Sequence, residues 1–245
     1  MKNGRLSCKI QGKKIKKKKH FSKKSIRKSN IYPWKSINRS SKTLTIGSPW
    51  NGALHKGRKI PVRGKGYMVL PRTIKRGHYY GTSALINLIR DTASRISKSY
   101  PGSKLTVGDL SRSTGGFAPG HRSHQSGRDV DLGFYILSTK HHYRVIKDNF
   151  PRFNNIARGV GPYKNLILDL ERNWELVELL TKHPSNVIMI IVSKEIKSLL
   201  LNYAQAVARP PATIAKAKRL MVYAPWHEDH FHVRIGCPPG QKWCR

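Results

Sequence analysis

The stretch Trp226-His227-Glu228-Asp229-His230-Phe231-His232-Val233-Arg234 alternates imidazole and apolar side chains over its second half. Successive residues of an extended strand point to opposite faces, so His230 and His232 share one face and Phe231 and Val233 the other. This predicts a closing strand from about Asp229 to Ile235, with an apolar side toward a core and a histidine side toward a site. About a hundred residues upstream, Gly120-His121-Arg122-Ser123-His124-Gln125-Ser126-Gly127-Arg128-Asp129-Val130-Asp131-Leu132 carries the complement. There Asp129 and Asp131 share a face opposite Val130 and Leu132, and the loop at Gly127 allows His124 to turn back toward Asp131. Five of the eleven histidines and four of the twelve acids lie in these two segments, a concentration that asks for a chemical reason.

Working outward, Lys104 to Leu110 and Asp129 to Ile136 read as strands, and Asn186 to Val192 as a buried one. Thr82 or Ser83 can cap a helix whose apolar stripe is Leu85, Ile86, Ile89, Ala93 and Ile96, ending at Pro101-Gly102. Residues 171–183 form a second amphipathic helix with Trp174, Val177, Leu179 and Leu180 apolar, and Asp169 is its N-cap. Glu195 to Ala208 form a third. Leu44 to Tyr80, punctuated by Gly and Pro, reads as short strands and loops. Strands and helices intermingle without a βαβ repeat, which predicts an α+β domain over residues 44–245.

The 245 residues include 48 Lys and Arg against 12 Asp and Glu, a formal net charge of +36. No acid precedes Asp91, whereas 25 of the basic residues lie at positions 1–90. Residues 1–43, with the run Lys16-Lys17-Lys18-Lys19 and no continuous apolar segment, read as a basic disordered arm. The arm lacks the apolar h-region of a secretory signal. The excess charge suits a polyanionic partner: nucleic acid, anionic lipid or a bacterial wall. The longest aliphatic run, Val187 to Val192, is far short of the roughly 20 residues of a membrane span. Three cysteines exclude a disulfide-built scaffold. Cys237 and Cys244, which enclose six residues beginning Pro238-Pro239-Gly240, read either as an oxidised loop or as two reduced thiols.

Two imidazoles and a carboxylate are the ligand types of a catalytic zinc site, which keeps one position open for water. The blander reading of each piece is common: a lone His-x-His on a strand is more often structural, and Asp129 and Asp131 could cap loops, with Arg128 and Arg234 neutralising them. The same ligands also serve non-haem iron oxygenases. His227-Glu228-Asp229 fits the opening of that motif, but His230 and His232 follow too closely to act as its distant ligand.

The segment Gly120-His121-x-Ser123-His124-Gln125-x-Gly127-x-Asp129-Val130-Asp131, with His227-x-x-His230-Phe231-His232-Val233-Arg234 and then Cys237-Pro238, resembles the penicillin-insensitive murein endopeptidases. These belong to the wider group of lysostaphin-type, D-Ala-D-Ala and hedgehog-like metallopeptidases. The resemblance covers about residues 45–245. It implies a small, mostly antiparallel sheet with flanking helices and one zinc ion per chain at His124, Asp131 and His232. It also implies a catalytic His230 assisted by His227, and a disulfide between Cys237 and Cys244. His121 matches a further active-site histidine, open as a substrate contact or as a ligand of a second metal ion. Asp129 is expected to orient a ligand imidazole. Ser123, Gln125 and Arg234 are candidate substrate contacts, Gln125 and Arg234 equally candidates for holding loops together, and Trp226 is expected to pack beneath the histidines. The implied substrate is peptidoglycan, cut at the D-alanyl–diaminopimelyl amide, in the periplasm or at the cell wall. The chain differs from the family pattern in its fewer cysteines, its basic arm and its lack of an evident signal peptide.

Two rival classes remain at this point. One is a non-catalytic zinc module that binds the wall through a filled coordination sphere. The other is a nucleic-acid binder in which the arm tracks phosphates and Tyr32, Trp34 or Trp50 stacks on bases.

Overall fold

Phe231, Val233 and Ile235 need apolar surroundings, and the strand His230–Ile235 buries all three completely in the computed structural model, which describes residues 43–140 and 144–245. Its antiparallel neighbour Asp129–Gly133 buries Val130 and Leu132 against the same core. The register sets His230 opposite Gly133, His232 opposite Asp131 and Arg234 opposite Asp129. A slip of one residue would move every one of these side chains to the wrong face, so the apolar alternation on both strands also aligns the polar one.

These strands lie within a seven-stranded sheet. Its order is Met221–Tyr223, Val187–Val192, His230–Ile235, Asp129–Gly133, Leu105–Val107, Tyr67–Val69 and Arg63–Gly64. Four of the six pairings are antiparallel; Met221–Tyr223 with Val187–Val192 and Tyr67–Val69 with Leu105–Val107 are parallel. The fold is α+β as expected, but the sheet is larger than the small one anticipated. The outer strands explain the difference, because two or three residues with mostly exposed side chains leave no period-two signal. Small sheets flank it: the hairpin Leu44–Gly47 with Gly52–His55, the pair Arg58–Lys59 with Tyr80–Gly81, and Ile136–Ser138 between Arg144–Val145 and Leu166–Leu168.

Helix Ser83–Ser99 is capped by the Thr82 side chain, which accepts a hydrogen bond from the Leu85 N–H, and its stripe Leu85, Ile86, Ile89, Ala93 and Ile96 is fully buried. Asp169 caps helix Leu170–Lys182 as expected, accepting from the Arg172 N–H, and Ser193 caps Lys194–Ala206. Ile196, Leu200 and Ala204, four residues apart, give that last helix its buried line. These helices and the apolar face of the sheet share one continuous core that includes Trp174, Phe231 and Val233. Helices Pro71–Arg76 and Pro211–Leu220 were not anticipated. Each buries a single residue, Thr73 or Ala217, so neither shows an apolar stripe, and each has proline in its first turn, where it starts a helix rather than breaking one. Among the described residues no helix is long and apolar enough to cross a membrane.

Cys237 and Cys244 are disulfide-bonded. The loop they close is tied to the first hairpin: the Gly47 N–H donates to the Trp243 carbonyl (2.8 Å), the Thr45 N–H to Gln241 Oε1 (2.7 Å), and Gln241 Nε2 to the Thr43 carbonyl (2.9 Å). Closing so short a loop removes unfolded-state entropy worth about 2 kcal/mol. Replacing both cysteines by Ser is therefore expected to lower the unfolding free energy by about that amount in non-reducing denaturant titrations. An unchanged midpoint would mean that the hydrogen bonds to the hairpin suffice.

Candidate metal centre

His124 lies in a loop whose shape is held from below. Its backbone is left-handed (φ 69°), as is that of Gly127 (φ 73°), and a Cβ on Gly127 would come within 2.7 Å of the Leu54 side chain. Asp129 Oδ2 accepts from the His124 N–H (3.0 Å), and Ser111 Oγ bridges the turn, donating to the His124 carbonyl and accepting from the Gly127 N–H. The turn aims the imidazole at Asp131. His124 Nδ1 donates to the Leu110 carbonyl (2.8 Å), so Nε2 carries the lone pair.

That lone pair meets two others. His124 Nε2 stands 3.2 Å from His232 Nδ1 and 3.3 Å from Asp131 Oδ1, and His232 Nδ1 is 3.1 Å from the same oxygen. All three residues are buried. Ligand atoms bound at zinc distances around a tetrahedral centre stand about 3.3 Å apart, so the triangle has the dimensions of three ligands of one ion. Its electrostatics agree. Burial alone would push the His232 pKa down, but hydrogen bonds and charge from Asp129 and Asp131 outweigh it and raise it to about 9. Burial likewise raises the pKa of Asp131, yet the imidazoles of His124, His230 and His232 that face its carboxylate outweigh that and hold it well below the usual carboxylate range. The donor set thus favours a positive charge at its centre, a proton on His232 in the free protein or a cation in its place.

The other face of His232 is backed by Asp129, whose Oδ1 lies 3.5 Å from Nε2. Asp129 is itself gripped by Arg234, with Nε to Oδ1 at 2.6 Å and Nη2 to Oδ2 at 3.1 Å. Arg234 is buried, and its guanidinium stacks under Trp50, 4.4 Å from the ring centre. It is therefore turned to Asp129 rather than to solvent. Arg128, also buried, reaches the Gly47 carbonyl in the first hairpin and the Arg245 carbonyl at the C-terminal residue.

Three further histidines surround the triangle. His230 places Nε2 3.6 Å from Asp131 Oδ1, while its Nδ1 is bound to Asp229 Oδ1. Its ring stacks on Phe150 (centroids 5.2 Å apart, planes 21° apart). Gly133, opposite His230, makes room for this: a Cβ there would lie 2.7 Å from the Phe150 ring. His227 lies 5.0 Å from the His230 ring centre and donates from Nδ1 to the Pro225 carbonyl (2.7 Å). Burial lowers its pKa, and neighbouring His230 and His232 add to the effect, so it is neutral at pH 7. His121 lies tilted against His124, ring centres 4.3 Å and planes 51° apart, and places Nδ1 3.9 Å from Asp131 Oδ2. Ligand atoms of His121, His124 and Asp131 lie within 4.8 Å of one another, as do those of His78, Asp109 and His121.

Ser123 is buried and Gln125 half-buried, with the Gln125 backbone engaged by Pro49 and Gly116. Trp226 does not pack beneath the histidines. It is 78% exposed, because its left-handed backbone (φ 67°) sends the indole to solvent and leaves His227 beside His230. Phe150 and Asp109 escaped the sequence reading; each is a lone residue in a loop. Tyr32 and Trp34 lie outside the described residues, as does the arm up to residue 42.

Residues 45–245 match the sequence profile of the family described as penicillin-insensitive murein endopeptidase. A protein of that name from Haemophilus influenzae is 28% identical over 230 residues, covering 86% of this chain and 71% of its own length. Its namesakes from Klebsiella pneumoniae and Escherichia coli are 28% and 27% identical over 218 and 217 residues, each covering 86% of this chain and 74% of the relative. With four-fifths of its residues inside the profile, the chain belongs to the penicillin-insensitive murein endopeptidase family.

Proposed function

We propose that the chain is a zinc-dependent endopeptidase that hydrolyses the peptide cross-links of peptidoglycan at the D-alanyl–diaminopimelyl amide. The observation that carries this reading is the buried triangle of His124 Nε2, Asp131 Oδ1 and His232 Nδ1, at zinc-ligand spacing and with further imidazoles beside it. Those three side chains would hold the ion. When bound, zinc supplies a Lewis acid for the scissile carbonyl and activates the attacking water.

The remaining steps belong to the chain. Asp229 accepts from His230 Nδ1–H, which leaves the lone pair of Nε2 beside the triangle. His230 Nε2 takes the proton of the attacking water and returns it to the leaving amine. His227, neutral and fixed by Pro225, assists from the next position. Asp129 orients His232, and the stacked Phe150 keeps His230 from rotating away.

The Cys237–Cys244 disulfide supports a site of action outside the reducing cytoplasm, in the periplasm or at the wall. Residues 44–245 form the catalytic unit, and the basic residues 1–43 give the chain a second hold on polyanions. Digestion of purified sacculi tests the reading. Mass analysis is expected to show uncrosslinked muropeptides whose release stops with a chelator and resumes with zinc. Cross-links left intact by the zinc-loaded protein would overturn it.

A further inference from the structure

Asp109 plays no part in the reading so far, yet it is buried at 3% exposure and receives more hydrogen bonds than a loop carboxylate needs. Thr73 Oγ1 donates to Oδ1 (2.6 Å); Arg76 Nη1 (2.7 Å) and His121 Nε2 (2.8 Å) both reach Oδ2; and His78 Nδ1 lies 3.4 Å from that same oxygen. With Thr73 donating to Oδ1 and the guanidinium of Arg76 to Oδ2, the carboxylate meets His121 as an acceptor, and a neutral His121 presents Nε2–H to it. The lone pair of His121 is then left on Nδ1, the nitrogen that faces Asp131 Oδ2 at 3.9 Å.

The neighbouring residue does the same for the other imidazole, since the Leu110 carbonyl holds His124 Nδ1–H and frees Nε2. The loop is locked to the sheet as well: the Asp131 N–H donates to the Asp109 carbonyl (3.0 Å) and the Gly108 N–H to the Asp131 carbonyl (2.8 Å). Two consecutive residues thus set the tautomers of two histidines on the same side of the centre.

We infer that Asp109 is a positioning residue that acts through His121, fixing its ring with the Nδ1 lone pair turned toward the metal-binding triangle. The inference rests on the metallopeptidase reading for its effect on turnover, though not for its effect on the tautomer. His78, Asp109 and His121 are also close enough to hold an ion. Against that use, Arg76 already neutralises Oδ2 and Thr73 occupies Oδ1.

The test uses the full chain with isotope-labelled histidine and follows the His121 ring nitrogens by NMR, without metal. The spectra are taken at a pH where the His121 ring is neutral, and in the unmodified protein its single proton is then expected on Nε2. Asp109→Ala should give a mixture of tautomers. Asp109→Asn should restore the single form, because its carbonyl can take the place of Oδ2 while its amide donates to Thr73 Oγ1. Arg76 is half-exposed and can turn to water, so neither variant strands a buried cation. In zinc-loaded protein, Asp109→Ala should lower kcat by about 10–100-fold, the usual effect of losing an outer partner, with KM and bound zinc unchanged. In a His121→Ala background the same change should cost less than about twofold, because its route is already gone. An unaltered His121 tautomer in Asp109→Ala, or losses that multiply in the double variant, would overturn the inference. If the unmodified protein proves inactive on sacculi, the hydrolase reading fails while the tautomer measurement still decides the role of Asp109.

Discussion

Alanine at His124, Asp131 or His232 is expected to remove bound zinc and hydrolysis together. Each supplies one of three donor atoms 3.1–3.3 Å apart, so its loss leaves two ligands on an ion that needs three from the protein. The fall in zinc affinity should exceed the roughly 10–100-fold that accompanies loss of an outer partner. The three variants should differ in stability. His232→Ala strands Asp129 and Asp131, two buried carboxylates that share its charge, and a stranded buried charge costs about 3–5 kcal/mol. Arg234 still pairs with Asp129, which places the expected loss at the low end of that range. His124→Ala takes one imidazole from Asp131 but leaves His232 and His230 facing that carboxylate and does not touch Asp129 Oδ1, so its stability loss should be the smaller. Equilibrium dialysis with metal analysis, alongside thermal melts, checks both statements. Stoichiometric zinc in all three folded variants would contradict the ligand assignment.

The reasons some of this could be read from the chain, and some not, are physical. Phe231 and Val233 alternate with His230 and His232, and Val130 and Leu132 with Asp129 and Asp131, so each strand announces which side chains share a face. The pattern does not say that the strands are neighbours or that His232 pairs with Asp131 rather than with a residue two away; that follows from the assembled sheet. The helices Ser83–Ser99, Leu170–Lys182 and Lys194–Ala206 were legible because four-residue spacing marks a buried stripe and a polar residue caps each start. Helix Pro211–Leu220 was not, because it buries Ala217 alone. Trp226 misled because an indole is apolar, and apolarity says nothing of a left-handed turn that faces it outward. Asp109 and Phe150 reach the histidines through contacts across 12 and 80 residues of chain, and no local periodicity records such a meeting.

The role proposed for His230 makes the opposite demand from that of the three ligands: the metal should stay while turnover goes. Its Nε2 is 3.6 Å from Asp131 Oδ1, longer than the 3.1–3.3 Å sides of the triangle, and its Nδ1 is engaged by Asp229, an arrangement that suits a proton acceptor beside the three donors rather than a fourth ligand. Removing a positioned acid–base group typically costs about 10²–10⁴-fold in rate. His230→Ala should therefore lose that much kcat on a cross-linked muropeptide while retaining a full equivalent of zinc. The loss should be deeper than that of His227→Ala, whose ring is farther from the triangle, 6.1 Å centre to centre from His232. Phe150→Leu provides a graded control: it keeps the proton acceptor but removes the stacked face at 5.2 Å, so kcat should fall less than in His230→Ala. Near-normal turnover in zinc-loaded His230→Ala would take the residue out of the mechanism and leave His227 as the proton acceptor. Loss of zinc from that variant would instead make His230 a ligand, and the position opened for water would then lie elsewhere around the ion.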